Sequence, residues 1–282
     1  MPELPEVETI ARGVNARVRG DRIIEAWFGP HREPFKNSAA RQAKGLAERR
    51  IESVHRTGKH IVVELGPKSD EPRPKKAVEI AAQWIVHLGM TGRLLVTTPD
   101  AEVAKHTHAR LWLESGRELR FVDARRFGRL EFRDLAKEER FDGRGAEPLT
   151  IEENAFAGLF RGRKLAIKAA LLNQKLLAGV GNIYADESLF RAGIRPRRRA
   201  GNLTRHELER LRNSLNEVLE HAIRLGGSSV SDYVDADGTK GFFQLEHNVY
   251  QRTGEPCRKC GREIKRIVVA GRSTHYCASC QR

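Results

Sequence analysis

The four cysteines of this 282-residue chain form two pairs near its C-terminal end. Cys257 and Cys260 lie in CRKC, Cys277 and Cys280 lie in CASC, and the whole pattern is C-x2-C-x16-C-x2-C. Two such knuckles joined by a short hairpin can bring four thiolates around one tetrahedral Zn²⁺. Two disulfides or a redox pair are the alternative, but neither a secretion signal nor a βαβ pattern accompanies the cysteines. Because four protein ligands leave no open coordination position, the pattern predicts one structural zinc ion.

The elements that must position this metal site and its neighbours follow from the spacing of apolar residues. Residues 1–18 have helical spacing, with Pro2 and Pro5 in the first turn and glutamates where the helix dipole favours negative charge. Residues 22–133 alternate short apolar runs with turn signals, which predicts a β-sandwich. Residues 151–224 return to helical spacing, and the glycines at 226 and 227 predict the end of a long helix. The segment between the cysteine pairs predicts two strands with a turn at Gly271.

The predicted fold is α+β with two domains, in agreement with the chain length at roughly 100–200 residues per domain. We place an N-terminal β-sandwich domain with its N-terminal helix at residues 1–135 and a linker at 136–150. A helical domain covers residues 151–245, and the four-cysteine zinc hairpin covers residues 246–282. Residues 66–76 are rich in proline, glycine and charge and predict an exposed loop.

The chain is strongly basic, with 51 Lys and Arg against 37 Asp and Glu and a formal net charge of +14. Such a charge favours a polyanionic partner, nucleic acid first and an anionic membrane second, although charge can also serve solubility alone. No apolar run approaches the ~20 residues that span a bilayer, and no secretory signal opens the chain. We therefore expect a cytoplasmic protein, and we expect a monomer because no assembly helix is apparent.

Five segments resemble the formamidopyrimidine-DNA glycosylase family, in that family's order and over nearly the whole chain. They are PELPEVET at the start, HLGMTGRL at 87–94, DARRFGRL at 123–130, AGVGNIYADESLFRAGI at 178–194 and the terminal four-cysteine unit. The resemblance implies a bacterial, nucleoid-associated enzyme of base excision repair with a helix–two-turn–helix motif. Its substrates would be 8-oxoguanine and formamidopyrimidines in duplex DNA, and it would then cleave the strand at the abasic site by β,δ-elimination.

The resemblance also implies four catalytic residues. Pro2, once Met1 is removed, is the nucleophile whose secondary amine attacks the sugar C1′ and forms a Schiff base. Glu3 is the general acid/base at the sugar ring oxygen. Lys59, in TGKHIVVEL, is the acid in β-elimination, and Arg272, at the zinc-hairpin tip, is the acid in δ-elimination. Without the resemblance, Pro2 and Glu3 would be ordinary first-turn helix residues, and Lys59 and Arg272 would be solvated charges.

Three residues are implied to fill the gap that a flipped base leaves in the duplex: Met90, Arg125 and Phe127. An apolar or aromatic wedge recovers stacking, and an arginine can bind the orphaned partner base. Core packing is the alternative for Met90 and Phe127, but the glycines around them indicate exposed turns. Ala124 stands where the family more often has proline, which would loosen the turn that holds Arg125.

Four further residues are implied to contact DNA: His106 before a strand, Arg163, Lys168 and Asn182. The Asn182 amide and a nearby helix N-terminus could donate to a phosphate, and an N-cap role is the alternative. His106, Arg163 and Lys168 could equally be solvated side chains. Ala169 replaces another proline that is usual in the family.

Two alternative functions remain open. A sister enzyme of endonuclease VIII type would prefer oxidised pyrimidines, but the opening PELPEVE differs from its PEGPEI pattern. Residues 228–243 also resemble the segment that closes over 8-oxoguanine in the purine-specific family. A zinc-ribbon DNA-binding protein without catalysis would share the charge and the cysteines, and Pro2–Glu3 directly after Met1 argues against it.

Overall fold

The computed structural model of the chain describes residues 1–68, 80–229, 236–239 and 241–282. Most of the predicted loop 66–76 and part of the predicted lid segment 228–243 lie outside these residues. The chain divides into two compact units. Unit 1 contains Met1–Pro2, Glu6–Asp142 and Ser228–Gly241, and unit 2 contains Glu3–Pro5, Gly143–Gly227 and Phe242–Arg282. The domain boundaries at 135, 151 and 246 stay predictions.

Unit 1 contains two helices and the strands of the predicted sandwich. In chain order these elements are α1 (Leu4–Val18, of which residues 6–18 belong to unit 1), β1 (Ile23–Phe28), α2 (Ala39–Leu46), β2 (Ile51–Thr57), β3 (His60–Leu65), β4 (Ala82–His87), β5 (Arg93–Thr97), β6 (Thr107–Leu113), β7 (Glu118–Val122) and β8 (Arg129–Asp134).

The strands form two four-stranded antiparallel sheets, with the orders β1-β6-β7-β5 and β2-β3-β4-β8. Apolar side chains of both sheets and of α1 share one core, in which Val7, Ile10 and Val14 are at most 1% exposed. The helical spacing of residues 1–18 therefore produces a stripe that is buried on the sandwich. The predicted β-sandwich with its N-terminal helix is confirmed.

Helix α2 lies within the segment for which the sequence predicted only strands. Ser38 caps it, because its Oγ accepts the N–H of Arg41 at 3.2 Å. Gln42 on this helix is fully buried, and its Oε1 accepts the indole N–H of Trp84 at 3.2 Å. The helix is short, and its buried polar contact is not visible in a hydrophobic pattern.

Unit 2 is helical and ends in a hairpin. Its elements are α3 (Glu153–Gly158), α4 (Ile167–Leu171), α5 (Asn182–Arg191), α6 (Arg205–Arg224), β9 (Ile264–Val269) and β10 (Arg272–Cys277), with 3-10 turns at Ala200–Asn202 and Phe243–Glu246. Thr204 and Glu207 form a capping box at the start of α6.

Helix α6 ends as its two glycines predict. Gly226 and Gly227 have φ of 74° and 82°, and their N–H groups donate to the carbonyls of Ile223 and Ala222. This is the Schellman arrangement, which requires a left-handed residue after the helix. Among the described residues, no helix is long and apolar enough to cross a membrane.

Candidate active site and metal centre

The four cysteine sulfurs converge at one point of unit 2. All four Sγ atoms lie within 4.8 Å of one another, with Cys260 and Cys277 at 3.5 Å and Cys257 and Cys280 at 3.9 Å. Tetrahedral Zn²⁺ with Zn–S bonds of about 2.3 Å requires sulfur separations of this order. The donor set therefore fits one zinc ion with no open position, and the predicted structural zinc site is confirmed.

The hairpin between the cysteine pairs is the two-stranded sheet of β9 and β10. Ala270 and Gly271 connect the strands, both with positive φ, which is the geometry of a type I′ turn. The turn at Gly271 is thus as predicted, and Arg272 follows it with an exposed side chain. A guanidinium in this position is accessible to a ligand outside the protein.

Glu3 lies at the N-terminus of helix α5, within unit 2. Its Oε1 accepts the N–H of Ile183 at 3.1 Å and its Oε2 accepts the N–H of Tyr184 at 3.5 Å, while the residue is only 4% exposed. A Cβ on Gly181, the N-cap of α5, would lie 2.2 Å from Cδ of Glu3, so only glycine allows this approach. The positive end of the α5 dipole and two N–H donors stabilise the ionised carboxylate here.

Asn182 is the first residue of α5, and the N-cap alternative for it is therefore wrong. Its amide Nδ2 donates to the carbonyl oxygen of Ser273 at 3.0 Å, next to Arg272 in the zinc hairpin. Because Ile183 and Tyr184 donate to Glu3, the α5 N–H groups that the sequence offered to a phosphate have an internal acceptor. A phosphate contact by Asn182 stays a prediction that rests on its side chain alone.

Lys168 lies in a different environment from the DNA-contacting one that the family resemblance implies. Its side chain is fully buried, with Nζ 2.7 Å from Oδ1 of Asp186, 2.7 Å from the carbonyl oxygen of Ser273 and 2.9 Å from Oγ1 of Thr274. Burial lowers the pKa of Lys168, while the charge of Asp186 acts in the opposite direction. An ammonium group held inside the protein is not placed to contact a DNA phosphate, so we correct this prediction to an internal structural role. Sequence alone could not reveal the Asp186 partner.

Pro2 and Glu6 belong to unit 1, and both are buried. Glu6 is 1% exposed, and its Oε1 accepts the N–H of Ser228 at 2.7 Å. Ser228 begins the predicted lid segment, and Ser229 beside it accepts the N–H of Gly241 at 2.9 Å through its Oγ. Glu6 thus holds one end of the lid segment, while residues 230–235 and 240 lie outside the described residues.

Lys59 lies in the turn between β2 and β3. Gly58 precedes it with φ of 58°, and Thr57 pairs with His60 across the turn. A two-residue hairpin with glycine in the first position is the type II′ arrangement, which suits the strand twist. Lys59 is only 8% exposed although it lies at a hairpin tip.

The three predicted wedge residues lie on two adjoining loops of unit 1. Met90 is 41% exposed and Phe127 is 49% exposed, so core packing is excluded for both. Arg125 is exposed too, with its guanidinium carbon 4.8 Å from the centre of the Phe127 ring. A Cβ on Gly89 would lie 2.5 Å from the Phe127 carbonyl carbon, which shows how closely the loops approach.

Asp123, which was not predicted as a site residue, joins the two wedge loops. It is fully buried and accepts the Thr91 hydroxyl at 2.5 Å, the Arg125 N–H at 3.2 Å and the Gly128 N–H at 2.7 Å. These bonds hold the turn around Arg125 even though Ala124 stands where proline is usual. An acid directly before the arginines of DARRFGRL was the available signal.

The remaining predicted contacts are exposed. His106 lies just before β6, and its carbonyl oxygen accepts the N–H of Asp123 at 2.9 Å, which places it beside the wedge loop. Arg163 lies in the exposed stretch before α4, and its Nε donates to the carbonyl of Leu159 at 2.5 Å. Neither position contradicts a contact with DNA.

Each unit has one further side chain that was not predicted and that contacts a predicted residue or its neighbour. Tyr250 of unit 2 interacts with Asn182; burial raises its pKa, and the negative charges of Glu3 and Asp186 act in the same direction. His87 of unit 1 pairs with His60 across β3 and β4, and its Nδ1 accepts the N–H of Gly89 at 3.2 Å. Burial lowers the pKa of His87 to about 4, so the ring is neutral at pH 7. His87 opens the segment HLGMTGRL, whereas nothing in the sequence marks Tyr250.

Comparisons with known proteins cover the same segments. Residues 1–130 match the formamidopyrimidine-DNA glycosylase N-terminal domain, residues 145–234 match the H2TH domain of that glycosylase, and residues 254–282 match a zinc finger found in FPG and IleRS. Formamidopyrimidine-DNA glycosylase of Solibacter usitatus is 44% identical over 282 residues, covering all of both chains. That of Thermus thermophilus is 44% identical, covering all of this chain and 98% of the relative.

Solved structures of such enzymes are also similar. The Lactococcus lactis Fpg bound to abasic-site DNA superimposes with a TM-score of 0.84 at 35% identity, covering 99% of each chain. The MutM (Fpg) protein of Thermus thermophilus gives a TM-score of 0.83 at 40% identity, covering 99% of this chain and 98% of that one.

Proposed function

Since this chain belongs to the formamidopyrimidine-DNA glycosylase family, a family of DNA glycosylases, we propose that it excises oxidised purines from duplex DNA and then cleaves the strand. The preferred lesions would be 8-oxoguanine and formamidopyrimidines. A Lactococcus lactis relative has been solved with DNA that contains N7-benzyl-Fapy-dG, which supports this substrate class. The protein would act as a monomer at the DNA of a bacterial cell.

The observation that carries the proposal is the position of Glu3. Two of the five sequence segments meet there, because the carboxylate of PELPEVET lies against the N–H groups of AGVGNIYADES. The contacts with α5 fix the Glu3 carboxylate, and Pro2 is the residue that directly precedes Glu3. A general acid next to an amine nucleophile is the pair that excision with sugar-ring opening requires.

The proposed reaction begins at the Pro2 nitrogen. Met1 must be removed first, because the amide nitrogen of Pro2 has no nucleophilic lone pair. The Met1 residue is 49% exposed. The free amine attacks C1′, the bond between C1′ and the base breaks, and the base leaves with the bonding electrons. The Glu3 carboxylate takes the proton that the attached Pro2 nitrogen loses and passes it to the ring oxygen. The bond between C1′ and the ring oxygen then breaks, and the Pro2 nitrogen holds C1′ as an iminium.

Strand cleavage follows from this intermediate. Loss of a C2′ proton expels the 3′ phosphate in β-elimination, to which Lys59 would contribute a proton. A second elimination expels the 5′ phosphate, and Arg272 would assist it from the exposed end of the zinc hairpin. Met90, Arg125 and Phe127 would occupy the gap in the duplex, and His106, Arg163 and Asn182 would bind phosphates. The zinc would hold the hairpin and take no part in the chemistry.

The test is borohydride trapping on duplex DNA with one 8-oxoguanine opposite cytosine. We expect a covalent adduct and a nicked strand with wild type, and a strong loss of both with Pro2→Gly and of base release with Glu3→Gln. Arg12→Gln, an exposed change on helix α1, which directly follows Glu3, is the matched control and is expected to retain both activities. A wild-type protein that binds this duplex without trapping or cutting it would contradict the proposal.

A second substrate class has a specific observation in its favour. One Lactococcus lactis structure similar to this chain contains DNA with an oxidised pyrimidine. The trapping experiment should therefore include such a duplex. We expect a lower rate of excision there than for 8-oxoguanine, and the reverse order would favour a pyrimidine-directed enzyme.

A further inference from the structure

Helix α1 is attached to the edge of one sheet of unit 1. Strand β2 is an edge strand in the order β2-β3-β4-β8, so one side of it faces no other strand of the described residues. Asn15 on α1 accepts the N–H of Val54 at 2.8 Å through its Oδ1. The helix thereby covers an edge that would otherwise expose hydrogen-bonding groups.

A second attachment lies nearer the start of the helix and consists of an ion pair. Arg56, near the end of β2, donates from Nε to Oε2 of Glu8 at 2.8 Å. The arginine side chain is 6% exposed and the glutamate side chain 17%, so water screens the pair weakly. Arg12 binds the other oxygen of Glu8 at 2.7 Å, but its own side chain is 66% exposed.

The same guanidinium extends to the hairpin turn. Nη1 of Arg56 donates to the carbonyl oxygen of Gly58 at 3.1 Å. Gly58 directly precedes Lys59, and its positive φ sets the direction in which the chain enters the turn. The planar fork of one arginine therefore connects α1 to the residue before Lys59.

We infer that Glu8 and Arg56 are positioning residues that set Lys59 relative to the N-terminal end of α1. Pro2 precedes that helix by two residues, and Lys59 follows Arg56 by three. The pair thus connects the elements that carry the nucleophile and the elimination acid. The inference rests on the proposed function, because Lys59 has a catalytic task only if strand cleavage occurs.

Loss of this connection should affect β-elimination more than Schiff-base formation. Schiff-base formation depends on Pro2 and Glu3, whereas proton donation in β-elimination depends on where the Lys59 ammonium lies. A misplacement of about 1 Å in a catalytic group can lower a rate by up to ~100-fold. Loss of the Arg56 fork should therefore slow strand cleavage while the covalent intermediate still forms.

The experiment measures both steps on duplex DNA with a preformed abasic site. For Arg56→Gln we expect cleavage to fall at least about tenfold, with borohydride trapping within about threefold of wild type. Arg56→Lys keeps the charge but cannot reach Glu8 and Gly58 together, so we expect an intermediate rate. Glu8→Gln keeps the shape of the side chain and loses its charge, and we expect it to lower the cleavage rate less than Arg56→Gln does.

Two matched controls separate positioning from stability. Arg12→Gln removes the exposed partner of Glu8 and should change cleavage by less than about twofold. Asn15→Ala loosens the other attachment of α1 to β2, and should lower the unfolding free energy without selectively slowing cleavage. Combining Arg56→Gln with Lys59→Ala adds the deciding measurement: without Lys59, the Arg56 change should lower cleavage by no more than about twofold.

Equal loss of trapping and cleavage in Arg56→Gln would overturn the inference, as would a cleavage loss in Asn15→Ala that matches it. The inference would also be overturned if Arg56→Gln lowered the cleavage rate as much in a Lys59→Ala protein as in wild type. Failure of the proposed function is distinguishable, because wild type would then neither trap nor cleave the abasic duplex.

Discussion

The ammonium group of Lys168 lies 2.7 Å from Oδ1 of Asp186, and both side chains are fully buried. Asp186 also accepts the backbone N–H of His275 at 2.9 Å, and Lys168 donates to Ser273. The pair therefore ties helices α4 and α5 to the second strand of the zinc hairpin. Lys168→Met should lower the unfolding free energy by about 3–5 kcal/mol, because it leaves a buried carboxylate without its cation. Urea unfolding of the zinc-loaded protein measures this change.

Arg191→Gln on the same helix α5 is the control for that measurement. Arg191 pairs with Glu217 at the surface, where both side chains are more than half exposed. We expect Arg191→Gln to lower the unfolding free energy by less than about 1 kcal/mol. Similar losses in the two variants would mean that the buried pair contributes no more than a surface pair.

The wedge loops allow stability and DNA binding to be separated. Asp123→Ala removes a buried acceptor from three donors and should cost about 2–4 kcal/mol of unfolding free energy. Phe127→Ala removes an exposed ring and should change stability by less than about 0.5 kcal/mol, yet weaken binding to an abasic duplex about tenfold. Denaturant unfolding and fluorescence anisotropy provide the two readouts. Unchanged binding by Phe127→Ala would remove this residue from the wedge.

The buried His87 predicts a pH dependence of stability. Its pKa is about 4 in the folded protein against an ordinary value of 6.5, so between these values the unfolded chain binds more protons. The stabilisation is therefore fully present above pH 6.5 and is lost as the pH falls toward 4. Between pH 7 and pH 5, the unfolding free energy of wild type should fall by about 1–2 kcal/mol more than that of His87→Gln. Parallel pH profiles for the two proteins would show that His87 is not held neutral.

Removal of zinc should unfold the C-terminal hairpin. Among the described residues, the apolar cluster beneath it has four buried members, Val249, Cys257, Ile264 and Cys277, which are too few to hold two strands without the metal. A chelator under reducing conditions should abolish amide protection in β9 and β10 while β3 and β4 stay protected, which hydrogen exchange measures. Because Arg272 begins β10, strand cleavage should be lost as well. Full protection of the hairpin in zinc-free, reduced protein would contradict a structural metal.

Features that depend on neighbours in the chain were predictable. The cysteine spacing determines that four sulfurs can meet, and the apolar spacing of residues 1–18 determines which face of α1 is buried. The double glycine after α6 determines its Schellman end. In each case the partners lie within one element or one hairpin, so periodicity and turn chemistry are sufficient.

Features that depend on distant partners were decided by the tertiary structure. Lys168 is interior because Asp186 and Ser273 surround it, and Glu3 lies at a helix N-terminus that begins 179 residues later, at Asn182. A charged side chain has the same local sequence signature whether it is solvated or paired in the interior. Only long-range packing determines whether its charge meets water or a partner, and this decided which of the predicted basic residues remain accessible to DNA.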